Sequence, residues 1–151
     1  MADVRSRHPR FLEAVLADAR VNCAYRGERS EFRSRRDAIL QAMRLSLQSD
    51  AFFGQVCYRA KAAMQARGIP FLPRLAHRLA MVSSQTTIGD PVVIEPGVYI
   101  VHGQVVIDGI TEIGSGAVIA PFTTIGLKAG VLRGPTLEPN VNIGLGGSAG
   151  K

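Results

Sequence analysis

The stretch "IDGITEIGSGAVIAPFTTIG", residues 107–126, decides the fold, because an isoleucine returns at every sixth position. Small or β-branched residues, such as Thr111 and Ala117, follow each isoleucine four positions later. Ten aliphatic residues keep the six-residue period, with a slip of one residue between the third and the fourth: Ile88, Ile94, Ile100, Ile107, Ile113, Ile119, Ile125, Val131, Leu137 and Ile143.

This period is typical of stacked coils of short strands. Three six-residue units make one coil of about 18 residues, in which the aliphatic side chains point inward and neighbouring coils pair as parallel strands. An ordinary parallel sheet needs a helix or a similar crossover between strands, and the spacing leaves no room for one. The repeat therefore predicts a parallel β-helix over residues 88–151.

The first part of the chain has a different pattern. Only three of the sixteen glycines precede residue 87, and apolar residues recur at helical spacing. Ser49 and Asp50 form a candidate N-cap, and Gly68 with Pro70 is a helix stop. We expect three or four amphipathic helices over residues 1–87, with apolar positions Phe11, Leu12, Val15, Leu16, Ala19, Ile39, Leu40, Met43, Leu47, Phe53, Val56, Ala60 and Met64, and a last, shorter helix from about Pro73 to Met81. The fold class is then α+β.

Composition narrows the functional classes. The chain has 151 residues, and no apolar run approaches the roughly 18 residues that a membrane helix needs. The N-terminal "MADVRSRHPR" lacks the apolar core of a signal peptide, so we expect a soluble cytoplasmic protein without a membrane partner. Cys23 and Cys57 are far apart and outside any metal-ligand spacing, which predicts two reduced, packed thiols.

The basic charge is confined to the first part. Residues 1–87 carry fifteen Lys or Arg and seven Asp or Glu, whereas residues 88–151 carry three and five. The arginines are scattered among acidic and apolar residues, which favours solvated helix surfaces. We expect no nucleic-acid partner, and binding of an anionic polymer remains the alternative.

One histidine stands out from the repeat. His102, in "GVYIVHGQVVIDG" (residues 97–109), lies where the six-residue period slips. A histidine that titrates near neutral pH can take the proton of a hydroxyl during nucleophilic attack. The residues alone leave two interpretations, a general base or an exposed turn histidine. His8 and His77 have no comparable context, and we expect surface or packing roles for them.

Several motifs together resemble the serine acetyltransferase family and related hexapeptide-repeat O-acetyltransferases. They are "GIPFLPRLAHRL", "GVYIVHGQVVI", "VIAPFTTIG" and "RGPTLEPNVNIG". The resemblance implies a left-handed β-helix, acetyl-CoA as co-substrate, a small-molecule hydroxyl acceptor, and a homotrimer or dimer of trimers. It implies that His102 is the general base. No metal is expected, because the related carbonic-anhydrase branch needs three histidines and the repeat region has one.

The resemblance also points to a cofactor segment, "IGLKAGVLRGPTL" (residues 125–137). It implies that Lys128 and Arg133 meet the phosphates of CoA. Gly126 and Gly130 are expected to let the pantetheine chain approach, although a bend-forming role is equally compatible with them.

The sequence departs from the family pattern in four places. Gly134 replaces the histidine of an Arg-His-Pro element, and Thr87 replaces the acidic residue that orients the imidazole. Glu95 and Asp108 are the candidates for that orienting role. The chain stops inside a coil at "NIGLGGSAGK" (residues 142–151), with Ser148 at a lysine position, so we expect a C-terminally truncated form.

Three functional hypotheses follow. The first is an acetyl-CoA-dependent O-acetyltransferase acting on serine. The second is the same chemistry on a saccharide or another small hydroxyl acceptor, which the changes at Thr87 and Gly134 favour. The third is a catalytically silent β-helix scaffold.

Overall fold

The structure, a computed structural model, describes residues 6–126 and 130–149. Four helices occupy the first part of this described chain: α1 (Phe11–Tyr25), α2 (Arg35–Gln48), α3 (Asp50–Ala66) and α4 (Leu72–Ser84). The hydroxyl of Ser49 accepts a hydrogen bond from the backbone N–H of Phe52, which confirms the predicted N-cap of α3. No helix among residues 6–126 and 130–149 is both long and apolar enough to span a bilayer.

The buried face of α2 is not the one that its larger apolar residues mark. Leu40, Met43 and Leu47 are 65%, 60% and 90% exposed, whereas Ala42 and Leu45 are buried. The small alanine lets α2 approach the neighbouring helices, and Leu45 packs in a core with residues of α1 and α3. Helical periodicity is therefore correct for α2, but Leu40, Met43 and Leu47 face outward and Leu45 faces the core.

Ten short strands follow the helices. They are β1 (Thr86–Ile88), β2 (Val93–Ile94), β3 (Tyr99–Ile100), β4 (Val105–Ile107), β5 (Glu112–Ile113), β6 (Val118–Ile119), β7 (Thr124–Ile125), β8 (Thr136–Leu137), β9 (Asn142–Ile143) and β10 (Ser148–Ala149). They form three sheets in the orders β1-β4-β7-β10, β2-β5-β8 and β3-β6-β9, and every pairing is parallel. Each sheet takes one strand per coil, so the predicted parallel β-helix is confirmed.

The repeat isoleucines stack in the interior. Ile88 pairs with Ile107, nineteen residues later, whereas Ile107 pairs with Ile125, eighteen residues later. Ile107 and Ile125 are fully buried. Each such side chain contributes about 1.5–3 kcal/mol on leaving water. The change in pairing offset locates the predicted slip in the turn between β3 and β4.

One member of the predicted series lies outside the stack. Ile113 pairs with Leu137, so the strand after β7 is β8, and Val131 is 38% exposed. The prediction that Val131 occupies an interior position is wrong. The residue that pairs with Ile113 is Leu137, twenty-four residues later, so the chain between β7 and β8 is one six-residue unit longer than in the coil below.

Side chains of α3 cover the open edge of the first coil. Tyr58 donates its hydroxyl hydrogen to Val92 O at 2.8 Å and accepts the N–H of Ile94 at 3.2 Å. Three further side chains of α3 donate to edge carbonyls of this coil: Gln55 to Val98 O, Arg59 to Ile94 O and Glu95 O, and Lys61 to Ile88 O. The helix thus satisfies backbone acceptors that a terminal coil leaves without a strand partner.

Candidate active site

The β-helix is triangular, and its corners locate the candidate residues. The first corner follows β1, β4 and β7, the second follows β2, β5 and β8, and the third follows β3, β6 and β9. His102 lies at the third corner, between the first and second coils, and is exposed. Within the described part of the chain its imidazole makes no hydrogen bond or ion pair.

The turn that carries His102 is fixed by the end of α4. Gln104 donates its N–H to Ser84 O at 3.0 Å, and Val101 donates to Ile119 O at 3.0 Å. A Cβ at Gly103 would lie 1.7 Å from Ser84 O, so this position requires glycine. The turn that contains the extra residue of the slip is therefore held in place on both sides, and it exposes His102 to solvent.

Neither predicted partner of the imidazole shares its corner. Glu95 lies at the second corner and is exposed, and Asp108 lies at the first corner, where its Oδ1 accepts the N–H of Gly109 at 2.8 Å. Thr87 is in the middle of β1, paired with Val106, on the face between the third and first corners. Within the described chain, no carboxylate lies at the same corner as His102 to select the tautomer of its imidazole.

The described cofactor candidates follow β7 at the first corner. Lys128 is outside the described residues. Arg133 and Gly130 are exposed, and Arg133 makes no ion pair with any described residue. Arginine is a bidentate donor to phosphate groups, and the phosphate-binding role of Arg133 stays a prediction.

Gly126 has a structural reason to be glycine. It is buried with φ of 82°, and a Cβ there would lie 2.0 Å from Asp108 O and 2.5 Å from Thr111 Oγ1. These atoms belong to the coil below, so the residue is fitted to the stack. This contact supports the bend-forming interpretation of Gly126.

Gly134 is also held against the coil below. Its N–H donates to Ile110 O at 3.2 Å, and a Cβ would lie 2.0 Å from Thr111 Oγ1. The Thr111 hydroxyl is itself fixed by donating to Asp108 O at 2.6 Å. The loop therefore returns over the first corner too closely for the histidine of the family pattern.

His102 and Arg133 lie at different corners of one chain. The strands of the sheet β1-β4-β7-β10 run from the third corner to the first, so the two residues lie beyond opposite ends of these strands. A single copy of the chain presents these two parts of the candidate site on separate corners.

A polar cleft that the sequence interpretation missed lies between α3, α4 and the first corner. Its volume is about 390 Å³, and its lining includes Lys61, His77, Asp90 and Asp108. Burial lowers the pKa of His77, with a further contribution from Lys61 that Asp90 and Asp108 oppose. Lys61 also holds the pKa of Asp90 below its usual range, against the opposing effect of burial. Spacing along the sequence gave no signal for this cleft, because three separate segments form it.

Comparison of the sequence with protein-family models and with curated proteins gives no match. Among solved structures, serine acetyltransferase (CysE) of Neisseria gonorrhoeae in complex with serine is similar, with a TM-score of 0.75 and 16% identity. That similarity covers 99% of this chain and 58% of the other.

Two further serine acetyltransferases are similar. The one from Brucella abortus strain S19 has a TM-score of 0.66 and 18% identity, over 88% of this chain and 52% of that one. Serine acetyltransferase 1 of Entamoeba histolytica has a TM-score of 0.63 and 21% identity, over 90% and 52%. This chain thus spans just over half the length of these proteins. The resemblance inferred from the motifs is confirmed at the level of architecture, and the chain has the fold of the serine acetyltransferases.

Proposed function

We propose that this chain is an acetyl-CoA-dependent O-acetyltransferase with His102 as general base. One observation carries the proposal: an exposed imidazole sits on a rigid turn of a β-helix that has the serine acetyltransferase fold. Backbone hydrogen bonds of Val101 and Gln104 anchor the turn on both sides of His102, so the imidazole can face solvent while the turn stays fixed.

The proposed step transfers an acetyl group to oxygen. Acetyl-CoA supplies an activated acetyl thioester. Nε2 or Nδ1 of His102 takes the proton of the acceptor hydroxyl as the oxygen attacks the thioester carbon, and the C–S bond then breaks. The imidazolium returns the proton to the departing thiolate, which gives an ester and free CoA. General base catalysis of this kind contributes about 10²–10⁴ in rate.

The acceptor is a small hydroxyl compound: serine, a saccharide or another small hydroxyl acceptor. The contact between Gly134 and Thr111 leaves the loop without the histidine that the family presents to its substrate. This departure favours an acceptor other than serine. A catalytically silent scaffold is the competing function, and the absence of any carboxylate from the described third-corner turns (residues 101–104, 120–123 and 144–147) favours it.

We also propose that the active site is completed between copies in a homotrimer or a dimer of trimers. His102 and Arg133 lie on different corners, so a second copy is needed to bring one beside the other. The exposed apolar residues Leu40, Met43 and Leu47 on α2 supply surface for further contact between copies. Sedimentation velocity tests this assembly, and a stable monomer would contradict a shared site.

The enzymatic proposal is tested by incubating the protein with acetyl-CoA and a panel of acceptors while free thiol is followed. We expect His102→Asn to lower thiol release by about 10²–10⁴. Glu138→Gln, an exposed change at the second corner, should leave it unchanged. Turnover that is unaffected by His102→Asn would overturn the assigned role. Absence of acetyl-CoA binding by calorimetry in an intact oligomer would support the scaffold.

A further inference from the structure

The polar cleft between α3, α4 and the first corner has two oppositely charged walls. Its α4 wall carries Arg74, His77 and Arg78, and its β-helix wall carries Asp90 and Asp108. At about 390 Å³ it lies in the size range of sites for small metabolites.

The α4 wall provides unpaired cations. Arg74 and Arg78 lie one helical turn apart, and His77 lies between them on the same side. Neither guanidinium forms an ion pair with a residue that the structure describes. Two arginines at this spacing can converge on one oxyanion and donate several charge-assisted hydrogen bonds.

The floor of the cleft contains a buried ammonium. Lys61 is 2% exposed, and its Nζ donates to Ile88 O at 2.6 Å and to Asp90 Oδ1 at 3.0 Å. Two of its three N–H donors are thereby used within the described chain. Burying a charged amine costs several kcal/mol unless partners compensate its charge. The ion pair with Asp90 provides this compensation and retains the Lys61 ammonium at the floor of the cleft.

The β-helix wall provides a fixed carboxylate. Asp108 accepts the N–H of Gly109, and its Oδ1 would lie 2.2 Å from a Cβ at Gly89. The glycine thus makes room for the carboxylate to lie over the first coil. Asp90 has a cationic partner in Lys61, whereas Asp108 has no ion pair with a described residue, so Asp108 is the carboxylate on this wall whose charge is left for a ligand.

We propose that this cleft binds a small organic oxyanion, either a carboxylate or a phosphate, that also carries hydroxyl or ammonium donors. Arg74 and Arg78 hold the oxyanion, and Asp108 accepts a hydrogen bond from the donor end. With His77 neutral, three cations face two carboxylates, so the cleft retains one positive charge for the ligand to neutralise. Thr87, on the strand between the corner of His102 and this one, also lines the cleft, but the residues proposed to hold the ligand lie on α4 and at the first corner, whereas His102 lies at the third.

The test uses three matched probes with the full chain at 0.15 M salt: glycerate, glycerol 3-phosphate and glycerol. Calorimetry should show that at least one anion binds with Kd below about 1 mM, while glycerol does not bind. The anion that binds identifies the oxyanion. If neither anion binds below about 10 mM, the proposal is overturned.

Variants then separate a built site from general charge attraction. Arg74→Gln with Arg78→Gln should weaken binding about 10-fold or more, and Asp108→Asn should weaken binding of the same probe. Arg35→Gln with Arg36→Gln removes the same charge from the exposed start of α2 and should leave affinity unchanged. Equal weakening by both arginine pairs, or none by the Arg74 and Arg78 pair, contradicts the proposal. Thermal unfolding of each variant verifies that the fold is retained.

Discussion

The Asp18 carboxylate accepts two hydrogen bonds from the Arg59 guanidinium, at 2.9 Å to Oδ2 and 3.1 Å to Oδ1, and both side chains are buried. Oδ1 also accepts the backbone N–H of Gly97 at 2.8 Å and of Val98 at 3.2 Å. This pair therefore joins α1, α3 and the second corner of the first coil. It fixes α1 and α3 to this corner of the β-helix, as the ion pair of Lys61 with Asp90 fixes α3 to the first corner.

Replacing Asp18 with asparagine leaves the Arg59 guanidinium buried without its counter-charge. We expect Asp18→Asn to lower the free energy of unfolding by about 3–5 kcal/mol, measured by urea denaturation at fixed protein concentration. The control is Glu13→Gln, which removes an exposed pair with Arg10 at 3.5 Å. Its effect should be below about 1 kcal/mol. Similar losses for the two variants would contradict the role assigned to Asp18.

The Tyr58 hydroxyl makes stability depend on alkaline pH. Burial raises the pKa of Tyr58 to about 12 from an ordinary value of 10. The native state holds this proton more tightly than the unfolded chain, so the stabilisation is complete below pH 10 and is lost as pH rises toward 12. The loss amounts to about 2–3 kcal/mol.

Tyr58→Phe should remove this alkaline dependence and cost about 1–3 kcal/mol at neutral pH, because Val92 O and Ile94 N lose a buried partner. Urea denaturation between pH 8 and pH 11.5 measures both effects. Tyr25→Phe, at a residue that is 58% exposed, is the control. A parallel alkaline decline in the wild type and in Tyr58→Phe would contradict the assignment.

The contact between Gly134 and Thr111 predicts a coupled pair of substitutions. Gly134→Ala should destabilise the chain by about 1–3 kcal/mol, because its Cβ overlaps the Thr111 hydroxyl. In a Thr111→Ala background the cost should fall by at least about 0.5 kcal/mol. Gly144→Ala is the matched control, since no atom among the described residues lies within 4 Å of its Cβ position. Additive effects in the double-mutant cycle would show that the two residues are not in contact.

Arg133 should affect the affinity for the proposed co-substrate without affecting stability. We expect Arg133→Gln to raise KM for acetyl-CoA about 10-fold, from the loss of charge-assisted hydrogen bonds to phosphate. The thiol-release assay gives KM, and acetyl-pantetheine, which lacks phosphate groups, should show no difference between wild type and variant. An equal change for both substrates would place Arg133 away from the phosphates.

The interior of the β-helix was predictable because every sixth residue faces the interior and is therefore aliphatic. Ile107 and Ile125 occupy equivalent positions in successive coils, and each strand needs only its own aliphatic residue to be assigned. Val131 was assigned wrongly because an insertion of six residues leaves the six-residue spacing of the aliphatic positions unchanged. Spacing alone cannot distinguish an inserted unit of that length from a unit within the stack.

The helices were predictable in extent but less so in orientation. Gln55, Arg59 and Lys61 are buried because each meets a backbone carbonyl of a coil more than twenty-five residues later in the chain. No local pattern encodes such a partner. The same reason hid His77, whose surroundings are assembled from α3, α4 and the first corner.

The cover that α3 places over the first coil also bears on how the β-helix begins. The helix precedes the strands in the chain, and its Gln55, Tyr58, Arg59 and Lys61 side chains bind carbonyls of the first coil from β1 to the turn before β3. These contacts fix the position of the first coil relative to α3, and each later coil is paired in register with the one before. The same contacts occupy the backbone acceptors on the helix side of the first coil, so the edge that α3 covers is closed to pairing with a further strand.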